Sequence, residues 1–256
     1  MIEIFYIILF FVLGSYMGSF YSVVGYRLPK KENFVSDHSK CDSCNHRLSL
    51  YEMIPIFSYL IKKGKCSYCG KEISSLFFTM EIATGLLFAV AYYSFGLSLS
   101  MLIALGIISL LIIITVSDLT YLIIPDEVLI FFSIYFIIIQ LFRIGIYHTL
   151  LQILTGTFLF VLMYIIMVVG NKIFKKESMG GGDVKMMFLF GLVLDPLLGT
   201  LTIFFGSLFA LPISISLYYT NKEHVIPFGP FLVLAFAFIF FTKMTPADVI
   251  SWFGFR

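Results

Sequence analysis

The sequence predicts an all-α polytopic membrane protein with about eight transmembrane helices and a zinc-stapled loop after the first. Three observations carry this. The 256 residues are 60% hydrophobic and 12% charged, with a mean hydropathy of +1.00, where an ordinary soluble domain is about 25% charged. The apolar residues gather into runs close to the ~20 that cross a hydrocarbon core. All four cysteines stand as two CxxC pairs in the one substantial polar segment. A net charge of +2 leaves no extended basic surface once the apolar runs are set aside, which argues against nucleic acid as a partner.

The first run, 3–24, begins IEIFYIILFF with no basic residue ahead of it, and Arg27, Lys30 and Lys31 follow it. That order predicts an uncleaved anchor with its N-terminus outside, not a cleaved leader. Residues 25–78 form the polar loop. Seven further runs lie at 79–96, 100–117, 123–142, 149–170, 184–194, 197–219 and 229–242. The run 184–194 is short, so a tilted or partly inserted helix is expected there.

Lysine and arginine fix the orientation. The loop 25–78 holds nine: Arg27, Lys30, Lys31, Lys40, Arg47, Lys62, Lys63, Lys65 and Lys71. The segment 118–122 has none, 171–185 has Lys172, Lys175, Lys176 and Lys185, and 220–228 has Lys222. If every run crosses, these segments share one side, and only Arg143, Lys243 and Arg256 lie on the other. A split of fourteen to three predicts that the basic side is cytoplasmic and both termini are outside.

The cysteine pairs read CDSC (Cys41, Cys44) and CSYC (Cys66, Cys69), with 21 residues between them. Two such pairs suit a tetrahedral four-thiolate zinc site. Disulfides and free thiols are the alternatives, and a cytoplasmic loop argues against disulfides. A short loop builds little core of its own, so a metal staple makes physical sense. Four sulfurs leave no open position, so the metal would be structural. His38 and His46 flank the first pair and read as solvated loop residues.

Carboxylates are scarce outside this loop, and ionisable groups at membrane depth are functional candidates. Glu81 opens the second run, Glu177 and Glu223 lie in polar connections, and Asp195 lies in an external turn. Asp118 ends the third run and Asp183 starts the sixth, 65 residues later. The orientation puts both at the cytoplasmic edge, as an aspartyl dyad requires. One carboxylate then activates water while the other, protonated, serves the substrate carbonyl. Helix capping is the competing account. It fits Asp183 and Asp126, each at a helix start, and fits Asp118 poorly, because a carboxylate at a helix C-terminus opposes the dipole. The glycines of MGGGDVK are expected to let a substrate backbone come close.

The ordered set of motifs resembles the type IV prepilin peptidase family of GxGD membrane aspartic proteases. The set is GSFYSVVGYRLP near the N-terminus, the two CxxC pairs, SDLTYLIIPD with Asp118 eight residues before Asp126, Gly180-Gly181-Gly182-Asp183 as GxGD, and IPFGPF at 226–231. The resemblance covers nearly the whole chain. It implies removal of the short basic leader of a prepilin or pseudopilin at the cytoplasmic membrane face. It also implies N-methylation of the new N-terminal residue with S-adenosylmethionine. By motif, Asp118 and Asp183 would be the catalytic pair, with Gly180 and Gly182 supporting their loop, and Cys41, Cys44, Cys66 and Cys69 would hold zinc. Three regions are expected: 1–24 as the first membrane helix, 25–78 as the zinc loop tied to methylation, and 79–256 as the peptidase core. Two departures fall in the part tied to methylation. Ser22 stands where the family has asparagine, and SSLFFTME lacks the family's Arg-x-Pro before Glu81. Glu81 is a candidate for the methylation site or an interfacial helix-start carboxylate. No Rossmann-type glycine fingerprint is present. A transporter, or a non-catalytic assembly factor docking through the cysteine loop, are the alternative functions.

Overall fold

The computed structural model describes residues 1–34, 40–41, 43–175, 179–220 and 227–252. The chain divides into two compact units, Met1–Leu97 and Ser98–Arg256. No strand occurs among the described residues, only two isolated bridges in the cysteine loop.

In the first unit, α1 (Ile2–Arg27) packs against α3 (Ser75–Phe95). Gly14, Gly18 and Ser22 recur every fourth residue on α1, and this small-residue stripe lets the two backbones approach. A Cβ on Gly18 would stand 2.6 Å from Thr84 Oγ1, and one on Gly85 would stand 2.5 Å from Ser15 Oγ. The hydroxyls of Ser15 and Ser22 donate to the carbonyls of Phe11 and Gly18, so neither is left unsatisfied in the contact. Between these helices run short 3-10 turns at Leu28–Lys30 and Leu50–Met53, the helix α2 (Phe57–Ile61), and the two cysteine turns. Thus α3 groups with α1 and the cysteine loop in the first unit, and the break between units lies at 97/98.

The second unit is built on α4 (Leu99–Tyr121), the most enclosed of the long helices, with Ile103, Ile107, Ile108, Leu110 and Ile114 fully buried. The elements α5 (Asp126–Phe174), α6 (Gly181–Gly191), α7 (Pro196–Thr220), α8 (Gly229–Phe241) and α9 (Pro246–Trp252) complete it. The runs expected at 123–142 and 149–170 are two arms of α5. The break is confined to Gly145, whose φ of 79° and ψ of 170° only glycine adopts readily. Among the described residues, five helices are long and apolar enough to cross a membrane: α1, α3, α4, α5 and α7. The runs at 184–194 and 229–242 correspond to α6 and α8, of 11 and 13 residues. At 1.5 Å per residue these rise only about 16 and 20 Å, short of a ~30 Å hydrocarbon core.

Phe136, Phe190 and Phe236 join α5, α6 and α8, with Phe190 stacked on Phe236 at 4.6 Å. The helices α5 and α6 cross at bare backbone: a Cβ on Gly191 would lie 2.5 Å from the Cα of Gly156. Large apolar side chains such as Phe131, Phe142 and Phe158 face outward, as lipid contact requires.

Candidate active site

Asp118 occupies the last turn of α4 and Asp183 the first turn of α6. Both are buried, at 6% and 7% exposure, and their carboxyls are close enough to interact as charges. The fold of the second unit therefore brings together the two aspartates that the sequence singled out.

Each carboxyl has a different environment. Asp118 lies at the C-terminus of its own helix but at the N-terminus of another. The Gly229 N–H, the first of α8, donates to Asp118 Oδ2 at 3.1 Å. A carboxylate at that N-terminus is favoured by both the hydrogen bond and the dipole. Asp183 reaches back toward the Gly180 N–H, which is the reciprocal geometry of a helix N-cap. Capping thus accounts for one side of this carboxyl only, since Asp183 Oδ1 is buried with no partner. A buried, unserved carboxyl oxygen is costly and marks a position waiting for a donor.

The loop leaving α4 sets the spacing. Leu122 takes a left-handed conformation and returns its N–H to the Asp118 carbonyl, and the Ser117 hydroxyl donates to the Ile123 carbonyl. Ile124 is thereby laid between the two carboxylate-bearing segments. A Cβ on Gly182 would stand 2.7 Å from Ile124 Cβ, and one on Gly229 would stand 3.0 Å from both Asp118 Oδ2 and Ile124 Cδ1. Gly182 is therefore required by packing against Ile124. Gly181 has nothing within 4 Å of its Cβ position, and Gly180 has only the Asp183 carboxyl. Asp126 does not cap α5: both of its carboxylate oxygens accept from Lys185 Nζ, at 2.7 and 2.8 Å. Ile124 was not legible as a site residue, whereas Gly229 lies in the IPFGPF motif, whose paired prolines signal an open helix start.

The four cysteines also meet. Their sulfurs all lie within 4.8 Å of one another, with Cys41 to Cys69 at 3.9 Å and Cys44 to Cys66 at 4.0 Å. A zinc tetrahedron with ~2.3 Å bonds has sulfur–sulfur edges of about 3.8 Å, so the cluster fits that ion. The two turns are built alike. Cys41 N–H donates to the His46 carbonyl and Cys66 N–H to the Lys71 carbonyl, and a bridge closes each turn, Lys40 with Arg47 and Lys65 with Glu72. Asn45 and Gly70, each following the second cysteine, have φ of 55° and 69°, and these residue types tolerate that region best. The N–H groups of Cys69 and Tyr68 pull the Cys66 thiol down to about 6, and those of Ser43 and Cys44 lower Cys41. The His46 N–H also pulls Cys44 down, yet desolvation and the other three thiols push it up to about 11. Four sulfurs so placed can hold a metal ion. His46 stacks on Tyr68, in keeping with a non-ligand role, and His38, Glu177 and Glu223 lie outside the described residues.

The first unit also encloses a cavity of about 440 Å³. Its charged lining is balanced, with Arg27, Lys40 and Lys62 against Glu52, Glu72 and Glu81. Aromatic walls come from Phe20, Tyr26, Phe77 and Phe78. Glu81, 9% exposed, is the most deeply placed of these carboxylates and accepts the Ile56 N–H at 2.7 Å.

The sequence fits the bacterial peptidase A24 N-terminal domain over residues 12–95 and the type IV leader peptidase family over 105–215. A prepilin leader peptidase/N-methyltransferase of Bacillus subtilis (strain 168) is 34% identical over 225 residues, covering 86% of this chain and 88% of the relative. The chain belongs to the type IV leader peptidase family. Within that family, a prepilin leader peptidase/N-methyltransferase of Vibrio cholerae is 28% identical over 259 residues, covering 94% of this chain and 98% of its own. No solved structure matches. The two family regions fall on either side of the 97/98 break, so the N-terminal one contains the cysteine cluster and Glu81, and the other Asp118 and Asp183.

Proposed function

We propose that the chain is a membrane-embedded aspartic endopeptidase that removes the leader from a prepilin or pseudopilin through Asp118 and Asp183. The observation that carries this is the pair of buried aspartates from α4 and α6, one held by a backbone N–H and the other bearing a bare oxygen. In such a pair one proton is shared. Asp118, served by Gly229, is the one suited to hold the charge and take a proton from the attacking water. Asp183 is suited to carry the proton toward the scissile carbonyl through Oδ1. The tetrahedral intermediate then collapses as a carboxyl protonates the leaving amine. The site lies where an apolar helix ends, and a prepilin changes from polar leader to apolar helix at a boundary of the same kind. The transporter and scaffold readings draw no support from this arrangement.

The relatives are named N-methyltransferases as well, and we infer the same second activity here, with S-adenosylmethionine as methyl donor acting on the new N-terminal amine. The cavity of the first unit fits a molecule of that class, since it lies within the ~300–1,000 Å³ of small-molecule sites and offers both signs of charge to a zwitterion. Zinc would be held by Cys41, Cys44, Cys66 and Cys69. Four sulfurs fill its coordination, so the metal would tie the two turns together and do no chemistry. The lysine and arginine split supports a bacterial cytoplasmic membrane location with both termini outside and the aspartates at the cytoplasmic side.

The test is leader removal. In membranes supplied with a prepilin, Asp118→Asn and Asp183→Asn should each slow cleavage by at least about 10²–10⁴-fold at unchanged protein abundance. Continued cleavage in both single variants refutes the dyad.

A further inference from the structure

Glu81 is a buried carboxylate with no basic partner among the described residues, where the ion pairs are Glu52 with Lys62 and Asp126 with Lys185. It accepts from the Ile56 N–H and the Ser19 hydroxyl and otherwise faces the cavity. If its role were only to tie the loop, a neutral acceptor would do as well without the cost of a buried charge. The tie itself is strained. Ile56 has φ 64° and ψ −56°, and Phe57 N–H closes onto the Pro55 carbonyl at 2.6 Å. This is a γ-turn of the rare hand, centred on a β-branched residue. Such a conformation costs on the order of 1–3 kcal/mol and persists where surrounding structure imposes it, most often at functional sites. An unpaired buried carboxylate, a strained backbone aimed at it and a ring-lined cavity beside it share one chemistry, the recognition of a cation.

We propose that this cavity is the methyl-transfer site, taking the sulfonium donor among the rings of Phe20, Tyr26, Phe77 and Phe78, with Glu81 receiving the α-ammonium of the cleaved peptide. The proposal rests on the methyltransferase reading above and assigns it residues. A free α-amino group titrates near ~7.7–8.0, so much of it is protonated at neutral pH and cannot attack. Glu81 accepts that proton and becomes a carboxylic acid. The freed amine nitrogen bonds to the methyl carbon as the carbon–sulfur bond breaks, and the bonding pair stays on sulfur. The products are a neutral thioether and a secondary ammonium, and Glu81 returns its proton to solvent. The donor's carboxylate finds Arg27 or Lys40 on the same lining.

Two measurements on the purified full-length, zinc-loaded chain test this. The first irradiates the protein with methyl-tritiated S-adenosylmethionine and maps the label. Label on peptides carrying Phe20, Tyr26, Phe77 or Phe78 supports the site. Label confined to residues 98–256 overturns the cavity and leaves methyl transfer standing, whereas saturable binding nowhere on the chain overturns both. The second compares binding of a short peptide with a free α-amine and its N-acetylated counterpart by fluorescence anisotropy. The wild type should prefer the free amine by more than tenfold. Glu81→Gln, which keeps an oxygen for the Ile56 N–H, should lose that preference at unchanged zinc content and melting temperature. No preference in the wild type, or an undiminished preference in Glu81→Gln, refutes the role of Glu81. The labelling arm needs no variant, so it decides the site even if Glu81→Gln does not fold.

Discussion

Replacing each glycine of the Gly180–Gly182 run by alanine separates a packing requirement from mere flexibility. A methyl at 182 arrives 2.7 Å from Ile124 Cβ and 3.0 Å from its Cδ1. Two carbons settle at about 3.5–4.0 Å, so the start of α6 must retreat by roughly 0.8–1.3 Å or Ile124 must give way. Ile124 is not free to move far, because its Cδ1 also borders Gly229, whose N–H holds Asp118. The overpacking costs about 1–3 kcal/mol of stability. A misplacement of about 1 Å at a reacting group costs on the order of 10²-fold in rate. Gly182→Ala should therefore lower kcat for leader removal about a hundredfold with KM little changed. Gly181→Ala meets nothing within 4 Å and should stay within about twofold of wild type, as an unencumbered surface change does. Gly180→Ala, 3.3 Å from Asp183 Oδ2, should fall between them. The assay is initial rates of prepilin cleavage by purified enzyme in liposomes, normalised to folded protein. Equal damage at 181 and 182, or a wild-type kcat for Gly182→Ala, refutes the packing argument.

Other outcomes follow from the same coordinates. Metal analysis should give about one zinc per chain, and Cys66→Ser or a strong chelator should remove it and expose residues 40–73 to protease while leader removal continues. Lys185 and Asp126 are 50% and 57% exposed, so a double-mutant cycle should give a coupling of at most about 1 kcal/mol that fades with salt. The Lys62 ammonium, then the Ser49 N–H, hold the Glu52 carboxyl at about 2 against an ordinary 4.5. A folded value below the unfolded one stabilises above pH 4.5 and is lost as pH falls through about 2. Wild type should therefore lose its advantage over Lys62→Met in proteolysis of this loop across that window, and a constant difference between the two would contradict the pairing.

The long apolar runs, the cysteine pairs and the two aspartates were legible because each is a pattern of composition or spacing. The partners were not. Asp118 reads poorly as a cap because its true partner, the Gly229 N–H, lies 111 residues away on another helix. Asp126 reads well as a cap and is instead bound by Lys185, since a distant cation outcompetes a local N–H at that exposed site. The connection expected between 142 and 149 is a single glycine, because one residue with positive φ breaks a helix without a polar loop to announce it. The strain at Ile56 has no local sequence signature, as a β-branched residue is the last that φ 64° would suggest.

The bare-backbone crossing of Gly156 and Gly191 acts as a fulcrum. Asp183 sits eight residues up α6 from Gly191, a lever arm of about 12 Å at 1.5 Å per residue. A tilt of only about 5° at the crossing would carry the carboxyl through roughly 1 Å over that arm. A methyl group added at either glycine, two helical turns from any reacting atom, would then mimic the loss of a catalytic side chain while leaving both carboxylates in place.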